Sequence, residues 1–213
     1  MLERIFGAAF KRVIVPIGKT LARIGLTANS VTVLGFLVTL VAAFVIATGH
    51  PVVAGIVLLG GALFDSLDGV VARATGTSSK RGAFLDSTLD RLSDAAIFTG
   101  LIWRFTAGPD ASVWAFTRGI EVAGDLAMVS QPGASLALVT MVLGFMVSYV
   151  RARAEGLGLE CKVGLAERPE RVITVALGLL LNQLVPALAL LALVSAVTLV
   201  QRFVHVWQQA KQA

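Results

Sequence analysis

Long apolar stretches separated by short polar segments make up most of the chain after residue 26. About 20 apolar residues in a helix cross the hydrocarbon core of a bilayer, so each stretch is a predicted membrane span. Six spans are predicted: Val31 to Thr48, Val52 to Ala74, Ala83 to Trp103, Ala134 to Arg153, Val172 to Leu181 and Ala187 to Trp207. The fifth is short unless it begins at Pro169, which, with Glu170, suits the first turn of a helix. The pattern predicts an all-α integral membrane protein with six transmembrane helices.

The segment before these spans has a different pattern. Apolar residues recur at helical spacing from Leu2 to Ile24, and lysines and arginines lie between them. This is typical of an amphipathic helix on a membrane surface, and Pro16 predicts a bend in it. The charges interrupt any apolar stretch that a signal peptide needs. We therefore predict an amphipathic juxtamembrane helix in residues 1–26 and a six-helix membrane domain in residues 27–213.

Composition supports the membrane assignment and gives an orientation. Hydrophobic residues make up 56% of the chain and charged residues 15%, which is too apolar for an ordinary soluble domain. The net charge of +5 comes from cations beside apolar stretches, without the aromatic interleaving expected of a nucleic-acid interface. Most of these lysines and arginines lie near the termini, in the turn between the second and third spans, and between the fourth and fifth spans. The positive-inside rule therefore predicts a multi-pass protein of the cell (plasma) membrane, with both termini cytoplasmic.

The remaining polar features of the sequence give little indication of a catalytic or metal-binding site. The lone Cys161 excludes an intrachain disulfide, and the two distant histidines make a zinc site improbable. Thr27 or Asn29 can cap the first span. Residues 104–133 form the longest polar connection, with room for a short helix and no recognisable site.

Acidic residues gather around the turn between the second and third spans. Four aspartates lie there, two on each side: Asp65, Asp68, Asp86 and Asp90. Spacings of three and four residues put each pair on one helix face, so we expect all four to converge. Carboxylates this close to hydrocarbon need counter-charges, and shared carboxylates suit a site for two divalent cations. Deeper in the third span, Arg91 and Asp94 are predicted to pair with each other rather than to support the metal ligands.

These residues also match a family signature. The pattern D-x2-D-G-x2-A-R-x8-G-x3-D-x3-D is complete here and resembles that of the CDP-alcohol phosphotransferases. It comprises Asp65, Asp68, Gly69, Ala72, Arg73, Gly82, Asp86 and Asp90. The resemblance implies a membrane enzyme that moves a phosphatidyl-type group from a CDP-linked lipid to an alcohol. It also implies a homodimer, four aspartate ligands for Mg²⁺ or Mn²⁺ with two ions per active site, and Asp90 as catalytic base or orienting group.

The resemblance extends to the donor lipid. In the family, a segment like Thr27 to Thr32 contacts the cytidine lipid, although Ala28 stands where proline is common. The implied CDP-lipid contacts are Asn29, Ser30, Val31, Thr32, Gly69, Ala72, Arg73, Ser79 and Gly82.

The acceptor is indicated by a second group of residues. Arginines around the fourth and fifth spans fit a phosphate-bearing acceptor, although positive-inside charge accounts for part of them. The candidate phosphate ligands are Arg151, Arg153, Arg168, Arg171 and Arg202. Residues 82–98, 148–155, 166–171 and 201–207 resemble the actinobacterial phosphatidylinositol-phosphate synthases, which implies CDP-diacylglycerol as donor and inositol phosphate as acceptor. Two alternatives stay open: glycerol 3-phosphate as acceptor and, more distantly, a cation-coupled transporter.

Overall fold

The computed structural model describes residues 2–107, 132–165 and 167–211, and these ranges contain seven α-helices and no strand. The helices are α1 (Leu2–Arg23), α2 (Ala28–Ala47), α3 (Pro51–Thr75), α4 (Lys80–Thr106), α5 (Pro132–Gly156), α6 (Arg168–Leu180) and α7 (Leu184–Ala210). The all-α prediction is confirmed for this part of the chain. The short helix considered within residues 104–133 falls mostly on residues 108–131, outside the described residues.

Local capping chemistry explains where several helices begin. Thr27 caps α2, since its hydroxyl oxygen accepts from the Ser30 amide at 3.2 Å, whereas Asn29 lies inside the helix. Glu167 and Glu170 form a capping box at the start of α6, and Pro169 occupies its first turn. α6 therefore begins at Arg168, earlier than the predicted Val172.

The turn between α3 and α4 is short and tightly defined. Gly76 ends α3 in the left-handed region at φ +66°, which costs a glycine little. Ser79 then caps α4, because its hydroxyl oxygen accepts from the Gly82 amide at 3.1 Å. The turn brings the end of α3 beside the start of α4.

The six helices after α1 form a closed ring. α2 packs against α3 and α4, α3 against α6, α6 against α7, α7 against α5, and α5 against α4. α1 packs outside this ring on α3. A small cluster of Ile14, Val31, Leu67, Val70 and Val71 joins α1, α2 and α3.

Contacts between helix ends give the direction of each helix. A Cβ built on Gly82 would lie 3.3 Å from Asn29 Oδ1, so α2 and α4 start at the same end of the ring. The Glu160 amide donates to Gln209 Oε1 at 3.3 Å, so α5 and α7 finish at the same end. α2 and α4 are therefore parallel to each other, as are α5 and α7.

Four helices are long and apolar enough to cross a membrane: Ala28–Ala47, Pro51–Thr75, Pro132–Gly156 and Leu184–Ala210. α4 is long enough but carries seven charged residues, and α6 has only 13 residues. Large apolar side chains such as Phe44, Ile56 and Leu193 point outward, with 61–69% of their surface exposed. These features indicate an integral membrane protein.

The main apolar core fills the half of the ring away from the aspartates. Ile46, Leu58, Leu101, Leu179 and Leu188 are large side chains of this core that are each at most 1% exposed. Apart from Arg104 near the end of α4, the charged residues of these six helices lie in the other half, at the ends of α3, α5 and α7 and the starts of α4 and α6. One end of a packed bundle thus carries the polar site.

Candidate metal and substrate site

Three of the predicted aspartates converge as the spacing indicates. Asp65, Asp68 and Asp86 each offer one carboxylate oxygen, and these oxygens lie within 4.8 Å of one another. Three carboxylate oxygens at this separation suit a hard cation such as Mg²⁺ or Mn²⁺. The donor set therefore fits the divalent cation that the sequence predicts.

The fourth aspartate joins the cluster through an arginine. Asp90 Oδ1 lies 2.8 Å from Arg168 Nη1, and the same nitrogen lies 2.6 Å from Asp65 Oδ2. Arg168 starts α6, far along the sequence, and its side chain is only 16% exposed. The role of Asp90 as a metal ligand stays a prediction. Arg168 contacts Asp65 and Asp90, which the sequence analysis predicts only as metal ligands.

Asp94 has a different partner from the one predicted. Its Oδ2 lies 3.1 Å from Arg171 Nη2, and its Oδ1 lies 3.7 Å from Arg168 Nε. Arg91 instead donates to the Ser87 carbonyl at 2.9 Å and lies 3.5 Å from Asp90. The predicted Arg91–Asp94 pair was wrong because Asp90 and Asp94, one turn apart, face α6, whereas Arg91 folds back along its own helix.

Several candidate CDP-lipid residues lie together beside the aspartates. Asn29 Oδ1 and Ser79 Oγ both approach Gly82, at 3.3 Å from where its Cβ would be. On α3, a Cβ at Gly69 would meet Arg73 Nη1 at the same distance, so the exposed Arg73 folds over Gly69. The small residues of the signature therefore leave backbone accessible next to the carboxylates.

Three candidates from the α2 segment have other contacts. The Thr32 hydroxyl donates to Asp68 Oδ2 at 2.7 Å, a contact that the sequence did not indicate. Val31 is fully buried in the α1–α2–α3 cluster and exposes no atom to a ligand. Ser30 is exposed, and its hydroxyl bonds to that of Thr27 at 2.8 Å.

The candidate acceptor arginines divide into buried and exposed groups. Arg171 is 6% exposed, and its Nε and Nη1 have no hydrogen-bond partner among the residues that the structure describes. Arg202 is also buried, but it donates to the carbonyls of Val147 and Val163 at 2.8 and 2.9 Å. Arg151 and Arg153 are exposed, and Arg151 pairs with Glu155 at 2.9 Å. Of these candidates, Arg168 contacts the aspartate cluster directly, and Arg171 lies one helical turn further along α4, paired with Asp94.

Comparison with known proteins gives a consistent result. The family model described as CDP-alcohol phosphatidyltransferase matches residues 25–208. Archaetidylinositol phosphate synthase of Pyrococcus horikoshii is 40% identical over 187 residues, which are 87% of this chain and 86% of that protein. Phosphatidylinositol phosphate synthase of Mycobacterium tuberculosis is 37% identical over 210 residues, or 94% of this chain and 88% of that protein.

Solved structures of the Mycobacterium tuberculosis enzyme have the same fold. Its crystal structure with CDP-DAG bound superposes with a TM-score of 0.75 at 34% identity, covering 92% of this chain and 94% of that one. Its complex with manganese and citrate gives the same TM-score at 33% identity, and the match covers 92% of this chain and 89% of that one.

Proposed function

The chain belongs to the CDP-alcohol phosphatidyltransferase family, and on that premise we propose that it transfers a phosphatidyl group from CDP-diacylglycerol to inositol phosphate. The products are phosphatidylinositol phosphate and CMP. The observation that carries the proposal is that Arg168 contacts Asp65 and Asp90 of the aspartate cluster, while Arg171 pairs with Asp94, one helical turn beyond Asp90. A carboxylate site suited to metal-bound pyrophosphate thereby adjoins a cationic site suited to a phosphorylated acceptor.

Asp65, Asp68 and Asp86 would hold the divalent cation, and Asp90 would complete the ligand set for a second one. A bound Mg²⁺ or Mn²⁺ ion neutralises the pyrophosphate and stabilises the departing CMP. The Thr32 hydroxyl fixes the Asp68 carboxylate from the α2 side. Asn29, Ser79 and Gly82 lie where the nucleotide could approach the backbone.

We propose a direct displacement. The acceptor hydroxyl oxygen bonds to the phosphorus of the phosphatidyl group, and the bond from that phosphorus to the CMP oxygen breaks. Asp90 orients the hydroxyl and takes its proton, since its carboxylate contacts Arg168, which also contacts Asp65 of the metal cluster. CMP leaves with the electron pair of the broken bond.

The acceptor assignment depends on arginine chemistry. A guanidinium group presents paired N–H donors that match phosphate oxygens, and Arg171 has two nitrogens still free of hydrogen-bond partners in the described part of the chain. Arg151, Arg153 and Arg202 are more remote candidates on the same side. Glycerol 3-phosphate carries the same phosphate group and is the alternative acceptor. The names of the relatives favour inositol phosphate.

We also propose that all six helices of the ring cross the membrane. α5 and α7 are parallel, so the chain must return across the bilayer between them, and α6 makes that return. α2 and α4 are likewise parallel, so α3 returns the chain across the bilayer between them and α4 crosses it again. The positive-inside pattern then places the aspartates and both termini in the cytoplasm of a plasma-membrane protein. α1 lies on the membrane surface, and the family resemblance supports a homodimer.

The proposal is tested by CMP release from the purified protein in detergent with CDP-diacylglycerol and Mn²⁺ or Mg²⁺. Inositol 1-phosphate, glycerol 3-phosphate and free inositol are offered in parallel. The corresponding archaetidyl donor is included because of the archaeal relative. Release with inositol phosphate alone supports the proposal, whereas release with glycerol 3-phosphate alone would replace the acceptor. Cation uptake into vesicles without lipid turnover would favour the transporter alternative.

A further inference from the structure

One carboxylate outside the family signature holds both arginines of the proposed acceptor site. Asp94 Oδ2 lies 3.1 Å from Arg171 Nη2, and Asp94 Oδ1 lies 3.7 Å from Arg168 Nε. The Asp94 side chain is 13% exposed and that of Arg171 is 7% exposed. A buried guanidinium group needs a counter-charge, and a carboxylate that contacts two of them also fixes their relative orientation.

A glycine on the opposite side of Arg171 supports the same conclusion. A Cβ added to Gly144 of α5 would clash with Arg171 Nη1. The guanidinium group therefore lies between Asp94 on α4 and the bare backbone of α5. Because Nη1 is the far end of a flexible side chain, a methyl group at this position would move the guanidinium group without disturbing the helices.

We propose that Asp94 is a positioning residue for the acceptor, holding Arg171 and Arg168 in the orientation that binds the acceptor phosphate, with Gly144 providing the space for Arg171. This inference rests on the proposed function, because it assumes a phosphate-bearing acceptor at these arginines. Asp94 does not itself contact the phosphate, since two anions repel each other. It acts through the two guanidinium groups.

The direction of the effect separates positioning from simple charge balance. If Asp94 only offset positive charge, Asp94→Asn would make the site more cationic and would tighten acceptor binding. If Asp94 positions the arginines, the same substitution weakens acceptor binding although the site gains positive charge. A purely structural role would instead weaken acceptor, donor and metal binding together.

The test uses the full-length protein in detergent and measures KM for inositol phosphate, KM for CDP-diacylglycerol and the Kd of Mn²⁺ by electron paramagnetic resonance. We expect Asp94→Asn to raise KM for inositol phosphate by at least about tenfold. The donor KM and the Mn²⁺ Kd should change by less than about twofold. Asp94→Glu should recover part of the loss, and Gly144→Ala should raise the acceptor KM without any change in charge.

Two matched variants serve as controls. Glu160→Gln removes the same charge from an exposed pair with Lys162, and Gly156→Ala adds the same methyl group where nothing lies within 4 Å. Neither should change the three constants. An unchanged or lower acceptor KM in Asp94→Asn overturns the proposal, as does an equal loss of Mn²⁺ affinity. If Asp94→Asn does not fold, the acceptor KM values of Asp94→Glu and Gly144→Ala decide whether the proposal holds.

Failure of the proposed function is recognisable separately. A wild-type protein that does not use inositol phosphate rejects that acceptor. The role of Asp94 is then judged from the affinity for inorganic phosphate, measured by isothermal titration calorimetry on the same variants. Weaker phosphate binding in Asp94→Asn and Gly144→Ala supports the inference, and a wild-type protein that binds no phosphate overturns it.

Discussion

At the scale of single residues, the aspartates of the cluster have distinct surroundings. Asp68 is 9% exposed and accepts a hydrogen bond from Thr32, whereas Asp90 contacts Arg168 and Arg91. A buried carboxylate fixed by a hydroxyl group is suited to hold a cation. A carboxylate between arginines, next to the acceptor site, is suited to orient the attacking hydroxyl group.

These surroundings predict different defects for the two asparagine variants. Asp68→Asn should lower Mn²⁺ affinity by at least about a hundredfold and abolish CMP release, because it removes a buried ligand. Asp90→Asn should also abolish CMP release but should retain Mn²⁺ binding at the other three aspartates. Electron paramagnetic resonance and a CMP assay on the same samples measure both effects. Full activity in both variants would contradict the mechanism.

Thr32 provides a second prediction at this scale. Thr32→Val removes the donor to Asp68 at nearly constant volume and should lower Mn²⁺ affinity by about tenfold. Thr32→Ser keeps the hydroxyl group and should retain affinity. A lower donor affinity with unchanged Mn²⁺ binding in Thr32→Val would instead assign Thr32 to the CDP-lipid, as the family resemblance implied.

The sequence predicted the aspartate cluster because its spacing is local. Asp65, Asp68 and Asp86 lie within one helix–turn–helix segment, where helical periodicity alone brings them together. The partners of Asp94 were missed because Arg168 and Arg171 belong to another helix, and only the packing of α3, α4 and α6 brings them close. Local spacing favoured Arg91, and tertiary packing determined the actual pair.

At the scale of elements, the turn from Gly76 to Ser79 determines how the carboxylates of α3 and α4 face each other. Gly76 ends one helix and Ser79 begins the next, so four residues reverse the chain. Both residues fit ordinary capping preferences. Helix starts were predicted a few residues late, because capping residues such as Ser79 and Glu167 precede the apolar stretch.

Loss of the Ser79 cap should therefore affect both stability and geometry. Ser79→Ala should cost about 1 kcal/mol, equivalent to a decrease in Tm of about 2–4 °C for a chain of this size. Ser79→Thr keeps the hydroxyl group and should retain the wild-type Tm. Thermal unfolding in detergent, followed by tryptophan fluorescence, measures the difference. Equal Tm values for alanine and wild type would show that the cap contributes no stability.

At the scale of the whole molecule, the six ring helices alternate in direction along the chain, although only four helices in the described part of the chain are clearly apolar. α4 and α6 carry the charged residues of the site and lie between more apolar neighbours. Hydropathy alone does not distinguish α4 and α6 as membrane spans. The sequence predicts them as spans only when the whole series of apolar stretches is considered together with the positions of the charged residues. The directions of the helices are the stronger argument for the proposal that α4 and α6 cross the membrane.

The six-span arrangement makes a prediction that a four-span arrangement does not share. With six spans, Lys80, Lys162 and Lys211 lie on one side of the membrane and His50 on the other. If α4 and α6 did not cross, Lys162 would lie on the side of His50. Single cysteines at these positions, in a Cys161→Ser background, are labelled with a membrane-impermeant maleimide in sealed vesicles of known orientation. Labelling of Lys162→Cys together with His50→Cys would contradict six spans.

The ion pairs of Asp94 also impose an order on the synthesis of the protein. A ribosome makes α4 well before α6, so Asp94 leaves it before Arg168 and Arg171 exist. N-terminal segments generally fold first during synthesis. Until α6 emerges, the growing chain carries its carboxylates without the arginines that face them in the finished ring. The active site is therefore completed only when α6, in the last third of the chain, has been made.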